Sequence, residues 1–298
     1  MHKPLLLRFF IWAGSFLGRE RLEAALGGAY HLVLSRGGMR RQLLSVQARV
    51  SRHVDGREPD AAAQDAFLAR VAERYADLLA SLYTLDREAA AGFPLVDTPA
   101  LAEIERLRRA GRGVILASPH FGNVPLAIGA LARCVPLTVL LVNGGPYKWC
   151  EAYGFRVTSL GSSAVDCVRA LNANEAVLLF SDLDFFPEGR TADLFGAPVR
   201  PPHGIARLAV ATGSPILPIA AVFARGRHRV EAGPAIEPAG RSAEELEALL
   251  LRAMEQALAG HLDHWLVLRD IWDVERSDHM NKQQLDAVAT YRALFGPR

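Results

Sequence analysis

The chain has 298 residues, of which 50% are hydrophobic and 22% are charged, and its formal net charge is +2. This composition supports a globular core and excludes a disordered tail, a collagen-like fibre and a disulfide scaffold. A charge so close to neutral argues against a dedicated nucleic-acid binder. The three cysteines show no CxxC spacing, which predicts reduced thiols in a cytosolic compartment.

The N-terminal part of the chain is strongly basic. Residues 1–52 contain nine lysines and arginines and two acids, a net charge of +7 that leaves −5 for the rest of the chain. An apolar run over residues 4–17 lies in this segment, but Arg8 interrupts it and it is too short to span a membrane. No small-residue cleavage site follows it. We expect the run to lie in a membrane interface beside anionic lipid; a helix docked on the protein's own core is the alternative.

Helical periodicity dominates the first third of the chain. Residues 20–52 are predicted to form one or two helices, broken near Arg36-Gly-Gly38, and residues 61–84 show a long amphipathic pattern. A further helix is predicted over residues 101–109. We assign residues 1–95 to an N-terminal helical extension with a predicted membrane-surface contact.

The hydrophobic pattern changes at Gly113. Short apolar runs bounded by glycine and proline predict buried strands, and helical patterns lie between them. This alternation is typical of α/β proteins with a mainly parallel central sheet flanked by helices, and we assign residues 96–298 to such a unit, joined to the helical extension. The predicted strands are 113–118, 136–142, 176–181 and 215–223; the predicted helices are 124–133, 163–172, 204–212 and one opened by the capping box Ser242-Ala-Glu-Glu245.

Two polar segments follow predicted strands, at the edge where open α/β sheets bind their ligands. In Ala117-Ser-Pro-His-Phe-Gly-Asn123, His120 lies between a strand and a helix, a position that suits a general base. In Phe180-Ser-Asp-Leu-Asp-Phe-Phe-Pro-Glu-Gly-Arg-Thr191, the cluster of Asp182, Asp184, Glu188 and Arg190 has more charges than an ordinary tight turn needs. The second segment is predicted to form an active-site rim near His120, with a solvated loop as the alternative.

These segments resemble the lipid A late acyltransferases of the lauroyl and myristoyl type, relatives of the glycerolipid acyltransferases. The resemblance extends over nearly the whole chain and combines several short motifs. It rests on the apolar and basic N-terminal segment, His120-Phe-Gly-Asn123, Asp182-Leu-Asp184, Phe195-Gly-Ala-Pro198, residues 204–218, His264-Trp-Leu-Val-Leu-Arg269 and a phosphate-block string, Phe186-Pro-Glu-Gly189.

The resemblance implies a glycerolipid-acyltransferase-like fold and a role in lipid biosynthesis. An acyl chain would move from an acyl-carrier-protein or coenzyme A thioester to a hydroxyl, or an amine, of an amphipathic acceptor. His120 would be the general base, and no metal or tightly bound cofactor would be needed. The resemblance also implies a cytoplasmic protein, peripheral on the inner face of the cytoplasmic membrane, that binds no nucleic acid.

One position departs from the family pattern. The family places an acid at the end of His-x4-Asp/Glu, and here that position is Pro125. Proline in the first turn of a helix leaves the helix intact, so the change removes chemistry rather than structure. Loss of the orienting carboxylate costs roughly 10⁴ in rate in a serine hydrolase. Asp182, Asp184 and Glu188 are the candidate replacements, provided that the strand ends are adjacent.

Four further residues are candidates for substrate binding: Asn123, Arg190, His203 and Arg207. The two arginines would contact an anionic headgroup or the phosphopantetheine arm, although an ordinary ion pair explains Arg207 equally well. His203 precedes a predicted helix. It is a candidate substrate contact or substitute base, with a helix cap as the alternative.

Two alternatives to an active acyltransferase stay open. The proline at position 125 favours a catalytically impaired relative that binds acyl chains, lipid or a partner protein. A thioesterase would use water in place of the acceptor. A carboxylate within about 2.6–3.2 Å of the His120 imidazole would favour the transferase.

Overall fold

The computed structural model describes residues 17–94, 96–141, 151–159, 163–183, 190–266 and 271–272. This part of the chain begins with helices α1 (Arg19–Leu34), α2 (Gly37–Asp55) and α3 (Ala61–Ala90). The break between α1 and α2 falls at the predicted place. The Asp60 side chain accepts a hydrogen bond from the Ala63 N–H at 2.8 Å and so caps α3. Residues 4–16 of the apolar run lie outside the described residues.

Strands and helices alternate in the rest of the chain, as the change of hydrophobic period predicts. Every predicted strand and helix of this part is present, with bounds that differ by one or two residues. The elements in chain order are β1 (Val96–Asp97), α4 (Ala100–Arg108), β2 (Val114–Ser118), α5 (Val124–Ala132), β3 (Leu137–Leu141), β4 (Arg156–Ser159), α6 (Ser163–Asn172), β5 (Ala176–Phe180), β6 (Ala192–Leu194), β7 (Ala197–Val199), α7 (Gly204–Thr212), β8 (Ile216–Ala224), β9 (Arg227–Ala232) and α8 (Ala243–Gly260).

Within the described residues the main sheet has the strand order β1-β9-β8-β2-β5-β3-β4. Strand β2 pairs in parallel with β5 and β8, and β3 pairs in parallel with β4 and β5. The pair β8–β9 is antiparallel, and β6 and β7 form a separate antiparallel hairpin. The predicted fold class, a mainly parallel sheet flanked by helices, is confirmed.

Strand β2 shows how the sheet separates two cores. All five of its residues are buried. Because successive side chains point to opposite faces, Leu116 packs with α4 and α5 in one core, whereas Ile115 packs with α6, α7 and α8 in the other. Truncating such a side chain to alanine typically costs about 2–5 kcal/mol. The strand is therefore fixed in register from both sides.

The N-terminal helices pack onto this unit. Val46 and Val50 of α2 join a hydrophobic cluster that contains Phe121 and Trp265. From α3, the Tyr75 hydroxyl donates to the Leu266 carbonyl at 2.6 Å. The predicted division at residue 95 stays a prediction. Among the helices of the described ranges, none is both long and apolar enough to reach across a bilayer.

Candidate active site

Two neighbouring strands end side by side at the centre of the sheet. Ser118, the last residue of β2, is the register partner of Phe180, the last residue of β5. His120 and Asp182 each follow two residues later. His120 Nδ1 lies 2.8 Å from Asp182 Oδ1, and the backbone N–H of His120 donates to Asp182 Oδ2 at 2.9 Å. The strand ends are thus adjacent, and the first distance falls within the range expected for an orienting carboxylate.

The Asp182 side chain has no solvent-exposed surface. Its Oδ2 also accepts a hydrogen bond from the indole N–H of Trp265 at 2.9 Å. Burial alone would raise the pKa of Asp182, but the nearby His120 charge and the bonds from His120 and Trp265 outweigh burial and lower that pKa. Asp182 is therefore ionised at neutral pH and accepts the Nδ1–H of His120. When the imidazole is neutral, this arrangement leaves its lone pair on Nε2.

The His120 ring packs against an aromatic ring and is partly exposed to solvent. It stacks on Phe180 with ring centroids 4.0 Å apart and an interplanar angle of 13°. The side chain is 37% exposed. No described residue forms a hydrogen bond with its Nε2. A proton acceptor with this geometry is accessible from solvent.

The loop after β2 is fixed by a short segment near the C-terminal end of the described chain, residues 264–266. Gly122 donates its N–H to the His264 carbonyl at 2.6 Å, and Leu266 donates its N–H to the His120 carbonyl at 2.9 Å. Gly122 has a φ of 61°, and a Cβ there would overlap the carbonyl oxygen of Ala221. Only glycine fits this position, so the loop that carries His120 has little freedom.

Asn123 is the N-cap of α5 and is buried. Its Oδ1 accepts from the Leu126 N–H at 3.4 Å, and its Nδ2 donates to Asp77 Oδ2 at 2.8 Å and to Ser81 Oγ at 2.7 Å. These bonds engage both ends of the amide and give Asn123 a structural role. Its assignment to substrate binding stays a prediction.

Pro125 lies in the first turn of α5, and the helix is intact. The N–H that proline lacks is one that the first turn of a helix leaves without a partner in any case. The expectation that proline here spares the fold is confirmed. The carboxylate that the family pattern places at this position is absent, and Asp182 contacts the imidazole instead.

Asp77 of α3 connects several elements around Asn123. Its Oδ1 lies 2.6 Å from Arg19 Nη2 and 3.2 Å from His228 Nε2. Burial would raise the pKa of Asp77, but His228, Asn123 and Arg19 together lower it. Helices α1, α3 and α5 and strand β9 thus meet at one ionised carboxylate. Sequence reasoning missed it, although an aspartate on the buried face of a long amphipathic helix is an available signal.

His203 is buried, and both of its ring nitrogens are engaged. Its Nδ1 lies 2.8 Å from Glu247 Oε1, and its Nε2 accepts from the Arg190 N–H at 2.9 Å. His203 stands at the N-cap position of α7, but its side chain does not cap the helix. The helix-cap alternative is therefore wrong, whereas the assignment of His203 as a substrate contact or substitute base stays a prediction that its two occupied nitrogens do not favour.

The remaining predicted residues are dispersed. The Arg190 guanidinium lies 2.6 Å from Glu244 and 3.7 Å from Glu247, so it is already paired within the protein. Arg207 is exposed on α7. Asp184 and Glu188 lie outside the described residues, and their catalytic roles stay predictions. No group of three or more His, Cys, Asp or Glu side chains in the described ranges is arranged to hold a metal ion.

The fold and this pair define an α/β protein with a histidine–carboxylate dyad at the carboxyl edge of a mainly parallel sheet. Residues 94–273, three fifths of the chain, match the family model described as bacterial lipid A biosynthesis acyltransferase. The chain therefore belongs to that family, and the resemblance seen in its motifs is confirmed.

Two relatives add to this result. The chain is 28% identical over 196 residues to a phosphatidylinositol mannoside acyltransferase of Mycobacterium tuberculosis (strain CDC 1551 / Oshkosh), a match that covers 61% of this chain and 62% of the relative. It is 25% identical over 181 residues to the protein of that name from Mycolicibacterium smegmatis, covering 57% and 60%. The chain spans about three fifths of the length of these relatives.

Proposed function

We propose that this protein transfers an acyl chain from a thioester to a hydroxyl of an amphipathic lipid acceptor. In this proposal His120 is the general base, and Asp182 replaces the carboxylate that is missing at Pro125. The observation that carries the proposal is the 2.8 Å contact between His120 Nδ1 and the fully buried Asp182 carboxylate. Family membership and the acyltransferase relatives support it.

The chemistry follows from the state of the imidazole. Nε2 of His120 takes the proton of the acceptor hydroxyl as its oxygen attacks the thioester carbonyl, and a C–O bond forms. The tetrahedral intermediate collapses, the C–S bond breaks, and the leaving thiolate takes the proton back from the imidazolium. Asp182 keeps the other nitrogen protonated throughout and stabilises the transient positive charge. The products are the acylated acceptor and a free thiol.

The position of the carboxylate matters as much as its presence. In water two opposite charges about 4 Å apart gain about 1 kcal/mol, and in a partly buried protein environment several times more. The Asp182 side chain is buried, so water weakens the attraction between its negative charge and the imidazolium only slightly. Burial of this carboxylate therefore strengthens the base that it supports.

The donor and the acceptor belong to the proposal. The donor is an acyl-carrier-protein or coenzyme A thioester, and the relatives' names make a mannosylated phosphatidylinositol the first acceptor to test. We place the protein on the inner face of the cytoplasmic membrane. The net charge of +7 over residues 1–52 supports that location, because anionic lipid attracts basic segments.

Hydrolysis is the second candidate function, because the partly exposed imidazole would activate water in place of an alcohol. The two reactions differ in their dependence on acceptor. A thioesterase releases free acid at the same rate whether or not an acceptor is present, whereas a transferase couples loss of the thioester to acylation.

The test uses the purified full-length protein with long-chain acyl-coenzyme A or acyl-carrier-protein thioester and vesicles containing phosphatidylinositol mannosides. Mass spectrometry of the lipid and thiol release are followed together. We expect acylated acceptor from the unsubstituted protein and from the control His31→Ala, since His31 is exposed on α1. We expect none from His120→Ala.

Three outcomes would overturn the proposal. Transfer that survives His120→Ala would remove the base, and free acid released at an equal rate without acceptor would indicate a thioesterase. No turnover with either donor, together with retained binding of acyl chains, would indicate a non-catalytic relative.

A further inference from the structure

The Asp182 carboxylate has more hydrogen-bond donors than contact with an imidazole requires. Oδ1 faces His120 Nδ1, while Oδ2 accepts both the His120 N–H and the indole N–H of Trp265. A buried carboxylate is costly unless donors surround it. Of these donors, the indole is the one outside the His120 residue itself, and an indole N–H can only donate. It therefore always favours the ionised carboxylate.

Trp265 is itself held in place by burial and by several contacts. The residue is 4% exposed. Its backbone N–H donates to the Leu262 carbonyl at 3.1 Å, and the residue forms an antiparallel bridge with Phe121, the neighbour of His120. Its ring meets the ring of Trp272 edge-to-face, with centroids 6.0 Å apart. Because the indole is held in place, its hydrogen bond restricts rotation of the Asp182 carboxylate.

We infer that Trp265 is a positioning residue, which acts on the reaction through Asp182 and sets the tautomer and orientation of His120. The inference rests on the proposed function, since it concerns the same histidine–aspartate pair. Without the indole N–H, the carboxylate keeps only its two bonds to His120, and it turns more easily about its Cβ–Cγ bond. The imidazole then loses its fixed preference for Nδ1–H, and Nε2 carries the lone pair for a smaller fraction of the time.

The molecule contains a matched control. Trp272 belongs to the same hydrophobic cluster and is also nearly buried, and its indole N–H donates to the Leu194 carbonyl at 3.0 Å rather than to a charged group. Trp265→Phe and Trp272→Phe each remove one N–H and keep an aromatic ring, so each variant retains a ring on both sides of the edge-to-face contact between these two positions. A loss of packing affects both variants, whereas a loss of positioning affects only the first.

The first measurement needs no turnover. Proteins labelled with ¹⁵N-histidine are titrated by NMR, with the His120 signals assigned from their absence in His120→Ala. We expect the Nδ1–H tautomer in the unsubstituted protein and in Trp272→Phe. In Trp265→Phe we expect a mixture of the two tautomers. We also expect the apparent pKa of the His120–Asp182 pair to move up, because the carboxylate charge has lost a hydrogen-bond donor.

The second measurement is the pH profile of acyl transfer. We expect kcat to fall about ten- to a hundredfold in Trp265→Phe, with KM nearly unchanged and the acid limb moved to higher pH. Trp272→Phe is expected to keep the position of that limb. Identical tautomers and identical acid limbs in the two variants would overturn the positioning role and leave His120 as base. Loss of the His120 requirement would instead overturn the proposed function.

A third measurement covers the case in which Trp265→Phe does not fold. In the unsubstituted protein the indole proton of Trp265 should shift as the His120–Asp182 pair titrates, and that of Trp272 should not. An indole proton of Trp265 that ignores the titration would also refute the inference.

Discussion

Two histidine–carboxylate pairs in this molecule share one contact distance and differ in the exposure of the imidazole and in the partner of its second nitrogen. His120 and Asp182 are 2.8 Å apart, and so are His203 and Glu247. The His120 side chain is 37% exposed, whereas that of His203 is 6% exposed. His203 Nε2 accepts a backbone N–H, while no described residue bonds the Nε2 of His120.

The difference shows that a carboxylate partner does not by itself make a histidine a base. In the second pair, every hydrogen-bonding group of the ring is used to join Arg190 to α8. The ring therefore acts as a structural cross-link. In the first pair, one nitrogen is held and the other is open, at the strand edge where α/β proteins bind their ligands. The two pairs should therefore respond to the same substitution in opposite ways.

The largest expected effect is on the rate of transfer when the first pair is broken. His120→Ala and Asp182→Asn should each lower kcat/KM by about 10⁴-fold, because the base and its orienting carboxylate act as one unit. The double variant should be no worse than the single ones. Steady-state kinetics with either thioester donor checks this, and additive losses in the double variant would contradict a shared role.

The second pair should respond in stability. His203→Ala leaves the buried Glu247 carboxyl group without its 2.8 Å hydrogen-bond partner, with Arg190 3.7 Å away as its remaining contact, and such a loss costs about 1–3 kcal/mol. We expect a lower free energy of unfolding in urea, with transfer retained below the melting temperature. The surface variant His31→Ala should change stability by less than about 0.5 kcal/mol. Loss of activity in a folded His203→Ala protein would give His203 a functional role after all.

A third buried carboxylate, Asp77, sharpens the comparison because it pairs with His228 and also bonds Asn123. Asn123→Ala removes a donor from this carboxylate and the cap from α5. The loss should be about 2 kcal/mol of unfolding free energy, with KM for both substrates unchanged. A raised KM at unchanged stability would indicate that Asn123 binds substrate.

The smallest effect is on the pH dependence of stability. The folded pKa of Asp182 lies below its ordinary value, so its contribution is complete above the unfolded pKa and is lost as pH falls through the folded pKa. The unfolding free energy of the unsubstituted protein should therefore fall more steeply below about pH 5 than that of Asp182→Asn. Parallel curves in urea titrations at a series of pH values would refute this.

Much of the fold follows from local pattern. The strands 113–118 and 176–181 are continuous apolar runs, and the capping box at Ser242 forms as predicted. Strands β1, β4, β6, β7 and β9 were not predicted, and β4 and β9 show why. The sequences RVTS (β4) and RHRVEA (β9) both carry charge, and β9 alternates buried residues with more exposed ones, so both lack the uniform apolar character of the central strands.

The site was predictable in part. The sequence placed His120 and Asp182 after two strands, but only the sheet order shows that these strands are neighbours. Trp265 lies in the family motif over residues 264–269, but the sequence assigns it no role. Nothing in the local sequence indicates that residue 265 contacts residue 182. His203 and His120 both precede helices. They differ in whether a described residue bonds the Nε2 of the ring, and that difference depends on tertiary packing.

His120 and Asp182 lie 62 positions apart in the chain and meet only because β2 and β5 pair in register. An acid at position 125 would instead sit on the same loop and helix turn as His120. A slip of one residue between the strands would send the aspartate to the opposite side of the layer. Under the proposed function, a nascent or partly unfolded chain therefore has no carboxylate beside the imidazole, and its reaction with thioesters must wait until the central strands have assembled.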